Sequence, residues 1–175
     1  MSQTSAAKAP GRLSKVLGII IVVIGAMMMV GGIVAWTMVS SNLREEQMVV
    51  PGDSPSHAGQ TVAGPLTAWS MQSIINHHAM NATDGQTYAE LGTVVNDARE
   101  EFGEDSEEAA AAQGLRNTAM NASLLRASLF TSILAFGVSA LALGTGLIAV
   151  LTGVVFIRRE SELVEIEASS EEIIL

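Results

Sequence analysis

The sequence predicts an all-α integral membrane protein whose two transmembrane helices form a hairpin, with a mostly helical extracytoplasmic loop and disordered termini. Three observations predict this fold. Residues 16–39 and 127–157 are apolar runs without a charged side chain, and each exceeds the roughly 20 residues that a helix needs to cross a bilayer. The segment between the runs carries four Arg against twelve Asp or Glu residues. Basic residues lie just before the first run and just after the second.

The N-terminal segment, residues 1–15, is rich in Ser, Ala, Lys and Gly, which is typical of disorder. Its basic residues are Lys8, Arg12 and Lys15, so a cleaved signal peptide is the alternative interpretation of the apolar run that follows. That run is longer than the roughly 7 to 15 residues of a signal-peptide core, and it lacks the small residues of a cleavage site. We therefore expect residues 16–39 to form transmembrane helix 1.

Residues 40–126 are expected to form the extracytoplasmic loop, which begins with a break in the helix. The sequence Pro-Gly-Asp-Ser-Pro at 51–55 ends the first helix and starts a linker that runs to about Gly64. Pro65 suits the first turn of a new helix. The sequence Thr-Asp-Gly at 83–85 is expected to stop that helix.

The remainder of the loop is acidic. A short helical turn is expected at 87–91, and the stretch 96–108 is charged densely enough to be solvated or disordered. Ser106 is the predicted N-cap of an Ala-rich helix. A helix that starts near Leu115 is expected to continue without a break through residues 127–157, which form transmembrane helix 2.

The orientation in the membrane follows from the basic residues next to the spans, because Lys and Arg are retained on the cytoplasmic side. Three basic residues precede the first span, and Arg158 and Arg159 follow the second. We therefore expect a multi-pass protein of the cell membrane, with both termini in the cytoplasm and the loop outside. Residues 158–175 would then form an acidic, solvated cytoplasmic tail.

Composition excludes several classes of protein. The net charge of −9 makes a nucleic-acid partner improbable. The absence of Cys excludes thiolate catalysis and Cys-based metal sites. Neither apolar run contains an ionisable side chain, which argues against a proton relay or an ion-coupled transporter. The expected partners are the lipid bilayer and another membrane protein or a second copy of this chain, and no cofactor is expected.

Small residues recur in both apolar runs at steps of three and four, or of seven. In a bilayer such residues let a second helix approach closely, and a period of 3.5 residues places them on a single seam. High Gly and Ala content, common in membrane helices, is the alternative explanation. The series are Gly18, Gly25 and Gly32 in the first run, and Ser128, Ser132, Ala135, Ser139, Ala142, Gly146, Ala149 and Gly153 in the second.

Three His residues and one Glu are the only candidates for a metal site: His57, His77, His78 and Glu90. Two His with one carboxylate is a known iron-binding set. Adjacent side chains on a helix diverge by roughly 100°, however, so His77 and His78 do not easily meet on one ion. We therefore expect no catalytic, cofactor-binding or metal-binding residue, a solvated His77 and a partly buried, hydrogen-bonded His78.

Two blocks of sequence resemble a family of small actinobacterial membrane proteins that is commonly labelled "aromatic ring-opening dioxygenase LigA". The first block is Asn76-His77-His78-Ala79 with the stretch from Thr83 to Leu91, and the second runs from Met120 to Phe130. The resemblance implies a two-span membrane protein. The label implies a component of an aromatic ring-opening dioxygenase, with His77, His78 and Glu90 as candidate iron ligands.

The residues themselves favour a different function. The long apolar runs place most of the chain's packing surface in the membrane, and no set of residues typical of an active site is present. We expect a non-enzymatic accessory or scaffolding subunit of a membrane complex. The alternative is the dioxygenase component that the family label suggests.

Overall fold

The computed structural model describes the backbone of residues 10–173 and the side chains of residues 13–159. Within these residues it contains four α-helices and no β-strand, so the all-α class is confirmed. The helices are α1 (Pro10–Glu45), α2 (Pro65–Ala82), α3 (Tyr88–Phe102) and α4 (Glu107–Ile173). The chain divides into two compact units, which we call the helix-pair unit (residues up to 36 and from 138) and the loop unit (Thr37–Gly137).

Helices α1 and α4 are long and apolar enough to cross a membrane. The most apolar window of α1 has a mean hydropathy of 2.7, and that of α4 has 2.4. Only 17% of the first window and 11% of the second is buried inside the structure. Most of the apolar side chains on these helices therefore have no protein neighbour that shields them.

Both ends of the chain contain more helix than the sequence suggested. Disorder was expected for residues 1–15, but α1 already begins at Pro10, where the missing proline N–H costs nothing at a helix start. Residues 1–9 lie outside the described part of the chain. Disorder was also expected for the tail, but α4 continues to Ile173. The reason is that no Gly or Pro follows Gly153, so nothing interrupts helix propagation.

The segment 46–64 is a folded turn rather than the expected linker. The backbone N–H of Val50 donates to the carbonyl of Gln60 at 2.9 Å, and that of Val62 donates to the carbonyl of Met48 at 2.9 Å. Val50 and Val62 are both fully buried. Burial of two branched apolar side chains gives this segment a reason to fold back on itself, since it removes their surface from water.

Helix α2 agrees closely with its prediction. Pro65 occupies the first turn, and Thr83 caps the C-terminal end with its N–H bonded to the carbonyl of Ala79 at 3.0 Å. Asp84 and Gly85 then take positive φ angles of 49° and 79°. The chain can leave the helix there because Gly tolerates this left-handed conformation and Asp accepts it more readily than most residues.

Helix α3 is an ordered helix of 15 residues, where a short helical turn and an acidic stretch, solvated or disordered, were expected. Its start is fixed by a capping box, in which the Glu90 carboxylate accepts from the Thr87 N–H at 2.7 Å and from the Thr87 hydroxyl at 2.8 Å. Leu91 and Val95, one turn apart, are fully buried. Their burial outweighs the charge density of the exposed face, on which the expectation of disorder rested.

Helix α4 starts at Glu107, directly after the predicted cap at Ser106 and before Leu115, near which the helix that enters the second apolar run was expected to begin. The Ser106 hydroxyl accepts a hydrogen bond from the N–H of Ala109 at 3.1 Å, so Ser106 is confirmed as the N-cap. Glu107 and Glu108 stand in the first turn, where carboxylates interact favourably with the helix dipole. The helix then passes Gly114 without interruption, which confirms that one continuous helix enters the second apolar run.

The capping box predicts a lowered pKa for Glu90, chiefly because the Thr87 N–H and then its hydroxyl bond to the charged carboxylate. Thr87→Ala should raise this pKa only part of the way to the ordinary glutamate value, since the N–H bond remains. Carboxyl carbon chemical shifts, recorded against pH in detergent, measure it. Thr93→Ala, elsewhere on the exposed face of α3, should leave the pKa of Glu90 unchanged.

The same bond makes the stability of α3 depend on pH. Because the folded-state pKa of Glu90 lies below the unfolded-state value, its contribution is present above the ordinary pKa and is lost as the pH falls through the lowered pKa. Glu90→Gln should remove this component. A Glu90 pKa at or above the ordinary value would contradict the capping box.

Candidate functional site

In the helix-pair unit, Gly25 of α1 and Gly146 of α4 face each other at close range. A Cβ atom added to Gly25 would lie 2.6 Å from the backbone oxygen of Gly146. A Cβ added to Gly146 would lie 2.7 Å from the backbone oxygen of Gly25. Both distances are too short for real atoms, so only glycine fits at either position without a shift of the backbone.

The contact repeats seven residues away in each direction. A Cβ on Gly18 would lie 2.9 Å from the oxygen of Gly153, and a Cβ on Gly153 would lie 2.6 Å from the oxygen of Gly18. A Cβ on Gly32 would lie 2.9 Å from the oxygen of Ser139. Numbers rise along α1 as they fall along α4, so the two helices are antiparallel, and the seven-residue spacing keeps one face of each in contact.

Two alanines of the predicted seam, Ala142 and Ala149, lie in the helix-pair unit and are less buried than the glycines. Ala149 is half-buried, and its Cβ would lie 3.0 Å from a Cβ on Gly25. Ala142 is half-buried as well. The structure thus brings together Gly18, Gly25, Gly32, Ser139, Ala149, Gly146 and Gly153, with Ala142 beside them.

In the part of α4 that belongs to the loop unit, large side chains are buried in place of the small residues of the seam. The small-residue series passes through Ser128 and Ala135, but Ser128 is exposed and Ala135 only half-buried. Leu129 and Phe136, one position further along, are buried instead. The larger Leu and Phe side chains make more packing contacts than a Ser and an Ala would.

Glycines off the seam are in a different environment. Gly144 is two residues from Gly146, and no atom of the described residues outside its own turn lies within 4 Å of the place that its Cβ would take. Gly31, next to Gly32, is equally open. Close approach is therefore a property of particular positions and not of glycine content in general.

In the loop unit, each His has its own partner, and both His77 and His78 are exposed, although His78 was expected to be partly buried. The His78 Nε2 lies 2.6 Å from the Asp53 Oδ2, and this hydrogen bond is the main reason why the pKa of Asp53 is lowered. The His57 Nδ1 lies 2.9 Å from the hydroxyl of Ser70, which is buried. Both pairs tie the turn at 46–64 to α2.

The candidate iron ligands are engaged separately. The His77 Nε2 lies 3.1 Å from the Asn81 amide nitrogen, and the ring centroids of His77 and His78 are 6.1 Å apart. The Glu90 carboxylate accepts a hydrogen bond from the Thr87 N–H in the N-terminal cap of α3. No group of three or more His, Asp or Glu side chains in the described part of the chain is placed to hold a metal ion.

Sequence reasoning missed the contacts that attach α3 and α2 to α4. The Arg116 guanidinium lies over the Tyr88 ring, 4.5 Å from its centroid, a cation–π arrangement. The Arg126 Nε lies 3.5 Å from the Gln72 Oε1. The partners are 28 and 54 residues apart in sequence, so no local pattern announces them.

The seam predicts opposite outcomes for two neighbouring glycines. Gly146→Ala should destabilise the helix pair by about 1 to 3 kcal/mol, because the new methyl group meets a backbone oxygen and the helices must separate. Gly144→Ala adds the same methyl group in open space and should be neutral or stabilising by up to about 1 kcal/mol. Unfolding with sodium dodecyl sulfate in mixed micelles measures both changes. Equal effects would show that the contact at Gly146 does not hold the pair.

Comparisons of the chain with protein-family models, with curated proteins and with solved structures find no match. The resemblance to the LigA-labelled family therefore rests on the quoted residues alone. The function is accordingly inferred from the chain's own helices and side chains.

Proposed function

We propose that this chain is an integral membrane protein that spans the cell membrane twice and serves as a non-enzymatic accessory or scaffolding subunit. The observation that carries the proposal is the exposure of its most apolar helices. A core helix of a soluble protein would be covered by other elements, whereas the apolar windows of α1 and α4 are almost uncovered. Lipid is the solvent that such surfaces require.

Particular residues illustrate the point. Val23, Ile24 and Val34 of α1 are each more than half exposed, as are Leu141 and Ile148 of α4. Contiguous apolar surface on this scale is rare on soluble proteins. Every backbone group within a helix is bonded internally, so the same helices meet the requirement that the hydrocarbon layer places on a spanning segment.

The proposed orientation places both termini in the cytoplasm. Lys15 precedes the apolar part of α1, and Arg158 and Arg159 follow that of α4. Basic residues next to a span favour the cytoplasmic side. Residues 40–126, which carry a strongly acidic segment, would lie outside the cell.

A structural rather than catalytic role is supported by what the polar side chains do. His57 and His78 bind the turn at 46–64 to α2, and Glu90 caps α3. These groups stabilise the fold, and none of them is grouped with others around a common point. The partner that we propose is another membrane protein or a second copy of this chain, which would use the helix faces outside the seam.

The orientation can be tested by labelling, because the native chain has no Cys. Single cysteines at Ser5, Thr93 and Ser169 report the N-terminus, the loop unit and the tail. An impermeant maleimide should label only position 93 in intact cells, and all three positions after permeabilisation. Labelling at position 5 or 169 but not at 93 in intact cells would overturn the orientation.

The dioxygenase alternative can be tested by metal analysis. Purified protein should contain no stoichiometric iron after loading with Fe²⁺, and it should not open catechol-type rings, since His77 and Glu90 are bonded elsewhere. His77→Ala and Thr93→Ala should behave alike in both assays. Iron that binds to the native protein and is lost only in His77→Ala would support the enzymatic alternative instead.

A further inference from the structure

We infer that the first two turns of α2 lie in the interface between membrane and water, with Leu66 and Trp69 immersed among phospholipid headgroups and upper acyl chains. This inference rests on the proposed insertion of α1 and α4. It assigns a lipid-binding surface to a part of the loop that would otherwise be assumed to stand in water. Two sets of contacts and the exposed surface of α2, all inside the loop unit, carry it.

The first contact fixes the start of α2 at the end of the first apolar run. The Ser40 hydroxyl of α1 donates to the backbone carbonyl of Ala63 at 2.7 Å. Ser40 directly follows the uncharged residues 16–39. Ala63 stands two positions before Pro65, where α2 begins. The N-terminus of α2 is therefore at the level where α1 would leave the hydrocarbon layer.

The second set fixes the same turns of α2 against the start of the second apolar run. The Trp69 ring meets the Phe130 ring edge to face, with centroids 5.7 Å apart. One turn further along α2, the Gln72 Oε1 lies 3.5 Å from the Arg126 Nε. Arg126 is the last charged residue before residues 127–157. The end of the first apolar run and the start of the second thus both contact the first turns of α2, which places these turns near the membrane surface.

The third observation is the chemistry of the surface that α2 leaves exposed there. Leu66 is 68% exposed and Trp69 is 53% exposed, and as residues i and i+3 they share a face. Further along that face the exposed side chains are Ser73 and His77. The surface therefore changes from apolar to polar over two turns, as a helix that leaves the interface would.

The occupant that suits this surface is a phospholipid layer. A Trp side chain has an apolar body and one polar N–H, and it is enriched at the headgroup level of membrane proteins. The apolar body of Trp69 and the Leu66 side chain would gain from contact with acyl chains. A protein partner at the same surface is an outcome that the test below distinguishes.

The inference can be tested with the full-length protein in liposomes of phosphatidylcholine and phosphatidylglycerol, using single cysteines that carry a nitroxide label. Collisions with oxygen report immersion in lipid, and collisions with a water-soluble nickel chelate report exposure to water. Leu66→Cys should favour oxygen over the nickel chelate, with Ser73→Cys intermediate and Thr93→Cys facing water. Leu134→Cys, on α4 in the second apolar run and 69% exposed, is the reference for the bilayer interior.

The reference separates failure of this inference from failure of the membrane proposal. If the label at 134 is in lipid while that at 66 behaves like the label at 93, α2 stands in water and the inference is wrong. A label at 66 that is shielded from both oxygen and the nickel chelate would indicate a protein contact, which also overturns it. If the label at 134 is itself in water, the membrane proposal fails and this inference fails with it.

Fluorescence gives an independent measurement that leaves Leu66 and Trp69 in place. The chain has two Trp residues, so Trp36→Phe leaves Trp69 as the only emitter, and Trp69→Phe leaves Trp36. Emission from Trp69 should be quenched more by lipids brominated high on the acyl chain than by lipids brominated near its end. Trp69 quenched by iodide and not by any brominated lipid would overturn the inference.

Discussion

The contact of backbone against backbone at Gly25 and Gly146 is the constraint on which the helix-pair unit depends. Two apolar helices surrounded by lipid gain nothing by hiding from water, so their association depends on dense packing. Dense packing requires that the axes come close, and a single Cβ at either glycine would meet a backbone oxygen that cannot move without moving its helix. The repeat of this contact seven residues away on each side extends the close approach along the pair.

The loop unit is stabilised by a different term. Here acidic side chains are solvated while Val50, Val62, Leu91 and Val95 are fully buried, so the ordinary hydrophobic effect applies. Helices α2 and α3 are short, with 18 and 15 residues, so the hydrogen bonds at their ends satisfy a large share of their backbone groups. Caps at Thr87 and Ser106, together with the His78–Asp53 pair, satisfy polar groups that would otherwise compete for water. One chain therefore uses two kinds of packing, each suited to the medium that its residues require.

Features that depend on local sequence signals could be predicted, whereas features that depend on contacts between distant residues could not. The apolar runs, Pro65 and the Ser106 cap are local signals, and they correctly predict two long helices, the start of α2 and the N-cap at Ser106. The helix that enters the second apolar run was expected to begin near Leu115, and it begins at Glu107 instead. The length of α3 is harder to predict, because the charged residues around position 100 are a strong local signal for disorder. The apolar pair Leu91 and Val95, whose burial stabilises the helix, is a weaker local signal. The turn at 46–64 was mistaken for a linker because its bonds join residues about ten apart, across a Pro-rich sequence.

The same limit applies to the polar residues that carry chemical possibilities. His57, His77, His78 and Glu90 can be found by eye in the sequence, but their partners cannot, since Asp53 is 25 residues from His78 and Ser70 is 13 from His57. The hydrogen-bond partners limit the chemical roles that these residues can have. A Ser–His pair can act on a substrate only if the hydroxyl can reach it, and the Ser70 side chain is buried. The burial of Ser70 therefore favours a structural role for the His57–Ser70 pair over nucleophilic catalysis. The described residues expose apolar helix faces, which suit contact with lipid or another helix, and an acidic face, which suits contact with water.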